Sequence, residues 1–167
     1  DRGAVAGKAG VLVRETPRCV RPAMPLAAYF GAARVDPVAL GDYSVTPPET
    51  PDMMREHNHA SISNTSVHEA YPGHHLQLSA AITNPSLVRL FSEAEEFVEG
   101  WAFYCEGMMK QAGFDDTPQH RSLQFTVAIR RATRIILDAP LPPGAIAVAE
   151  AIPRPRSHTR RAPGPPL

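Results

Sequence analysis

The stretch SVHEAYPGHHLQL, Ser66 to Leu78, decides how this chain is read. It sets His68 beside Glu69, and then places the pair His74–His75 six and seven positions after His68. Zinc hydrolases of the H-E-x-x-H type carry two ligand histidines four apart on one helical face, with the glutamate as general base. At about 100° per residue, His74 falls roughly 600° around an ideal helix from His68, on a different side. His75 falls roughly 700° around, nearly on the same side, but about 10 Å further along the axis. Neither can share an ion with His68 on a continuous helix. Pro72 and Gly73 stand between them. The proline removes a helical donor and the glycine tolerates unusual dihedrals. The spacing therefore predicts a helix broken at YPG, with His68 and either His74 or His75 brought together. His74 is preferred because fewer inserted residues must be absorbed.

The chemistry of these residue types points to zinc, which is held by neutral imidazoles and carboxylates and in catalytic sites keeps a position for water. A carboxylate beside that water can take its proton during attack on a carbonyl. Glu69 fits that role. A third ligand is sought on the segment SEAEEFVEGWAFYCEGMMK, where Glu95, Glu99 and Glu106 share a stripe with the small Ala102. Gly100 directly after Glu99 suggests a close backbone approach there, which favours Glu99. Glu95 and Glu106 read as surface groups or as supports for a ligand. His57 and His59 read as structural or exposed, because a single histidine is more often so than a ligand.

Around this motif the chain is mostly helical. A helix is expected from about residue 92 to 112, with Ala94, Phe97, Val98, Trp101, Cys105, Met108 and Met109 marking its buried face and Gly113 ending it. Another is expected from about residue 119 to 138, carrying Arg130, Arg131 and Arg134. Arg131 and Arg134 could hold a substrate carboxylate through paired N–H donors, although ordinary helix salt bridges explain such arginines as well. Ser86 is a candidate helix cap. Residues 1 to about 55 are divided by prolines, with short strands expected at Gly10–Val13 and Tyr43–Val45. The fold class expected is mainly α, with a proline-rich, partly extended N-terminal section. The domain organisation expected is a catalytic portion over 1–138, its helical core about 53–138, and a low-order Pro/Arg-rich tail over 139–167.

Composition narrows the function classes. The 167 residues are 43% hydrophobic and 20% charged, ordinary for a globular protein. Acidic and basic residues balance at 17 each, which gives no overall electrostatic footprint for nucleic acid. No run approaches a membrane span, and nothing at the start reads as a secretory signal, so the compartment stays unassigned. Cys19 and Cys105 do not make a disulfide framework. The absence of an initiator methionine and the proline-rich tail suggest part of a longer chain.

Taken together, HEAYPGHHLQ, EGWAFYCE and IRRATRIILD resemble the bacterial domain-of-unknown-function family 885, a group of zincin-like metallohydrolases, over about residues 25–138. The resemblance implies the C-terminal catalytic part of a longer, largely helical enzyme whose N-terminal helical region lies elsewhere. VEGWA is also similar to the N-E-G-F-A of gluzincin aminopeptidases, whose glutamate binds zinc, which implies Glu99 as third ligand. The expected function is thus zinc-dependent hydrolysis of a peptide or small amide. His68, His74 and Glu99 would hold the metal, and Glu69 would be the base. The alternative is a non-catalytic metal-binding or truncated fragment.

Overall fold

The computed structural model describes residues 10–33, 40–91 and 94–138, so the expected tail over 139–167 lies outside the described residues. The elements are β1 (Gly10–Glu15), a single 3-10 turn at Arg18–Val20, β2 (Ala27–Phe30), β3 (Leu40–Val45), α1 (Pro51–Glu56), α2 (His59–Glu69), α3 (His74–Ala81), α4 (Leu87–Phe91), α5 (Glu95–Gln111) and α6 (Pro118–Asp138). The protein is mostly helical with a small sheet, as expected. It divides into two compact units, residues 1–116 and 117–167. The second contains α6. Among the described residues no helix is long and apolar enough to cross a membrane.

The sheet has the order β1-β3-β2. β1 runs parallel to β3, from Gly10 opposite Leu40 to Glu15 opposite Val45. β2 runs antiparallel to β3, with Tyr29 opposite Tyr43. Both expected strands are present and somewhat longer than the sequence suggested. β2 was not anticipated, because AAYF is short and half alanine; pairing along β3 makes it a strand, not its own propensity. At the start of β3, Gly41 makes room for a neighbour. A Cβ there would lie 2.2 Å from the Tyr29 hydroxyl and 2.7 Å from its ring.

Local signals set the helix ends. Thr50 accepts a hydrogen bond from the Met53 N–H with Pro51 in the first turn, and Asn58 accepts from Ser61. Ser86 Oγ accepts from the Arg89 N–H at 3.5 Å, in keeping with its reading as a cap. Gly113, at φ 84°, closes the C-terminal end of α5.

The predicted break is present. α2 ends at Glu69, four residues form a turn that includes a cis Tyr71–Pro72 bond, and α3 begins at His74. Gly73 donates its N–H to the Val67 carbonyl at 3.0 Å, pulling the turn back over the end of α2. The approach is so close that a Cβ on Gly73 would lie 1.8 Å from the His68 carbonyl oxygen and 2.4 Å from that of Val67.

The buried face of α5 differs from expectation. Phe97 is 67% exposed and Ala94 is exposed, whereas Ala102, Cys105, Glu106 and Lys110 are buried. Of the acidic stripe only Glu106 is buried, with Glu95 and Glu99 exposed; of the expected apolar face Cys105 is fully buried and Val98, Trp101, Met108 and Met109 are half-buried. Polar groups dominate that interior: His68, His74, His75, Asn64 and Glu106 are all buried. Burying such groups is costly unless each finds a partner, so this arrangement is held by specific contacts and not by apolar area alone.

Gly100 also departs from its reading. A Cβ there would meet nothing within 4 Å, so the close approach of α5 occurs at Ala102, which is fully buried. Gly73→Ala should therefore destabilise the protein by about 2 kcal/mol or more, because the colliding atoms are backbone. Gly100→Ala should stabilise it by about 0.5–1 kcal/mol through helix propensity. Urea denaturation of the two variants beside the parent protein checks both signs.

Candidate metal centre

Three helices supply the site. The last turn of α2 carries His68 and Glu69, the first residue of α3 is His74, and α5 lays Glu99 and Glu106 alongside. His68 Nε2 lies 3.3 Å from one Glu99 oxygen, and His74 Nε2 lies 3.4 Å from the other. The imidazoles meet edge to face, with ring centroids 4.7 Å apart. One ligand atom from each of His68, His74 and Glu99 falls within 4.8 Å of the others. The break at YPG thus does what helical arithmetic required of it, and the histidine it brings to His68 is His74.

Glu106 completes the setting of His68. Its carboxylate, in a side chain only 1% exposed, lies 2.8 Å from His68 Nδ1. A carboxylate only accepts, so Nδ1 carries the proton and Nε2 is the atom turned toward Glu99. A carboxylate behind a histidine in this way fixes the ring's orientation and tautomer, the usual support of a metal-bound imidazole. Glu106 thus backs the His68 ring, and Glu95 is exposed. His74 Nδ1 is buried and has no hydrogen-bond partner among the described residues.

His75 has a different environment. Fully buried, it places Nδ1 2.8 Å from the Tyr29 hydroxyl and Nε2 2.8 Å from the Tyr71 hydroxyl. Each hydroxyl can donate or accept, so the neutral ring is satisfied in either tautomer and neither nitrogen is turned to the cluster. His57 is structural too, its ring nitrogens against the Met53 and Thr46 carbonyls. Arg131 and Arg134 lie on α6 in the second unit, Arg131 half-buried and Arg134 exposed.

The turn between the two histidines is pinned by the same helix that supplies the glutamates. Trp101 Nε1 donates to the Pro72 carbonyl at 2.9 Å, and the Cys105 thiol donates to it at 3.4 Å. Burial pushes the Cys105 thiol up, with the Glu106 charge adding to it, so the thiol stays protonated and serves as a donor.

The two carboxylates nearest the histidines are pushed in opposite directions. Hydrogen bonding to His68 and then to His74 holds Glu99 well below the usual carboxylate range. Glu69 is raised, chiefly by burial; the neighbouring imidazoles pull it back, Glu99 pushes it up, and the Tyr29 main-chain N–H donates to it. Tyr29 is the residue sequence reasoning missed. Nothing in AAYF marks it, since its role arises only from where β2 lies in the sheet.

Residues 3–163 match the family described as "Bacterial protein of unknown function (DUF885)". Among curated proteins none matches. Among solved structures, the chain superposes with a TM-score of 0.79 on the crystal structure of a "putative lipoprotein from Colwellia psychrerythraea", at 24% identity. The match covers 92% of this chain and 26% of that one, so the chain spans about a quarter of that protein's length. At this identity the likeness concerns the fold.

The opposed shifts predict an order of protonation in the metal-free protein. On acidification Glu69 should take its proton above the usual carboxylate range, and Glu99 should stay ionised until well below it. Carboxyl carbon NMR across a pH titration checks the order; Glu99 protonating with or before Glu69 would contradict it.

Proposed function

The chain belongs to the DUF885 family of bacterial proteins, and we propose that it carries the zincin-like centre of a zinc-dependent hydrolase of peptide or amide bonds. His68, His74 and Glu99 would hold the metal and Glu69 would be the general base. The observation that carries this reading is the spacing of the donor atoms. Ligands at about 2.0–2.2 Å from a tetrahedral zinc stand about 3.3–3.6 Å from one another. The histidine nitrogens lie 3.3 and 3.4 Å from the two Glu99 oxygens, and one donor atom from each residue falls within 4.8 Å of the others, so a small turn of the Glu99 carboxylate would bring the three toward such an edge. Two imidazoles and a carboxylate are also a donor set zinc favours in catalytic sites.

Bound there, zinc would polarise a substrate carbonyl and acidify a water molecule. The chain's own residues do the rest. Glu69 takes a proton from the attacking water and returns it to the departing amine. Burial supports this cycle, because raising the carboxyl toward neutrality makes it a better base at working pH. Glu106 holds the His68 ring so that Nε2 faces the ion and Nδ1 keeps its proton. In this reading the chain is the C-terminal catalytic part of a longer enzyme, completed by an N-terminal helical region.

A second reading is a metal-binding segment without activity of its own. It is favoured by the chain's spanning 26% of its structural neighbour, and by a Glu99 side chain 60% exposed, which leaves one side of the cluster open.

The test begins with metal analysis of the purified protein, where one zinc per chain is expected, lost in His68→Ala and in Glu99→Ala. The zinc-loaded protein should then cleave members of a peptide library, and Glu69→Gln should lower that rate by about 10²–10⁴-fold with zinc retained. Zinc binding without cleavage supports the second reading. No stoichiometric zinc ends both.

A further inference from the structure

We infer that Tyr29 and His75 form a positioning pair that ties Glu69 and the turn carrying His74 to a single residue of the sheet edge. This rests on the reading of Glu69 and His74 as base and ligand. Tyr29 acts at both ends. Its main-chain N–H donates to the Glu69 carboxylate, and its hydroxyl lies 2.8 Å from His75 Nδ1. Ser79, one turn after His75 on α3, hydrogen-bonds the same hydroxyl and lies 3.4 Å from His75 Nδ1. On the far side of the ring, Nε2 meets the hydroxyl of Tyr71, which lies within the turn itself.

The arrangement is built and not incidental. His75 is fully buried, so each of its nitrogens needs a partner, and each has a tyrosine hydroxyl at 2.8 Å, with Ser79 beside Nδ1 as well. Tyr71 and Tyr29 both contact the ring edge to face, at centroid distances of 4.7 and 5.5 Å. The Tyr29 side chain can reach that position only because residue 41 is glycine, whose Cβ would otherwise overlap the hydroxyl. His75 is thereby clamped between β2 and the turn, and the adjacent His74 inherits a fixed backbone. Strand β2 sets the base through its backbone and the ligand turn through a side chain, so one element fixes the spacing between them. His75 and Tyr29 touch no reacting atom in this scheme; they position the groups that do.

Two variants test the pair. Tyr29→Phe removes the hydroxyl and keeps the main-chain N–H, and His75→Phe removes both ring hydrogen bonds while keeping a ring. In metal-free protein, amide exchange at residue 29 should be roughly ten-fold faster or more in each, with the amides of Ala102 and Cys105 unchanged. With zinc, chelator competition should show affinity about 10–100-fold weaker. Cobalt-saturated variants should differ from the parent in visible absorption, a signature that simple loss of stability would not move. If His75→Phe fails to fold, Tyr29→Phe carries the test alone. Unchanged exchange at residue 29 overturns the inference, as does parental zinc affinity with an unchanged cobalt spectrum. If the parent protein takes up no zinc, the hydrolase reading falls, and the exchange measurement alone decides whether the pair exists.

Discussion

The organising constraint of this protein is the contact between Gly73 and the end of α2. The chain turns back there so tightly that its N–H reaches the Val67 carbonyl and its Cα has no room for a side chain. That turn converts a linear separation of six residues into adjacency. Without it His68 and His74 would lie on different sides of one helix; with it, their rings meet edge to face beside Glu99. The turn is held from outside as well, since Trp101 and Cys105 of α5 both donate to the Pro72 carbonyl. One helix therefore fixes the bend and supplies the carboxylates that meet the histidines it brings together.

This double duty explains why α5 faces the way it does. Its interior side is set by Ala102, which is small enough for close packing, with Glu106 fully in contact and Glu99 at the margin. Phe97 is left outside. Cys105, from the apolar face the sequence marks, is buried beside Ala102 and Glu106, with Val98, Trp101, Met108 and Met109 half-buried. The polar interior is paired in part: His68 meets Glu106 and His75 meets two tyrosines, whereas His74 Nδ1 and Asn64 Oδ1 have no hydrogen-bond partner among the described residues. The buried polar groups of the site are also the core of this unit, so the two are one structure.

The electrostatics follow from the same layout. Glu99 meets both imidazoles and is held ionised, whereas Glu69, adjacent in sequence to His68, is buried and raised toward neutrality. Two carboxylates near one pair of histidines thus acquire different characters, one suited to staying charged and the other to exchanging a proton.

The break at YPG, the nomination of His68, His74 and Glu99, and strands β1 and β3 were legible in the sequence, because each rests on local chemistry: helical pitch, a proline–glycine pair, and short apolar runs. Family membership was legible from the same motifs. Four features depended on tertiary structure. The choice of His74 over His75 needed the turn's actual path. The inward face of α5 was read in part: Cys105 is buried as expected, but Glu106 is inside and Phe97 outside, because apolar periodicity assumes an oily core and this core is largely polar. Gly100 was given a packing role that belongs to Ala102. Tyr29 carries no local mark at all. It matters because a four-residue strand, weak by its own propensity, lies along β3 with one main-chain N–H against Glu69 and its hydroxyl against His75. Sequence alone determined which residues could act together, since that follows from their chemistry and spacing. Only the tertiary structure decided which of them meet, since that depends on groups distant in the chain competing for the same few ångströms.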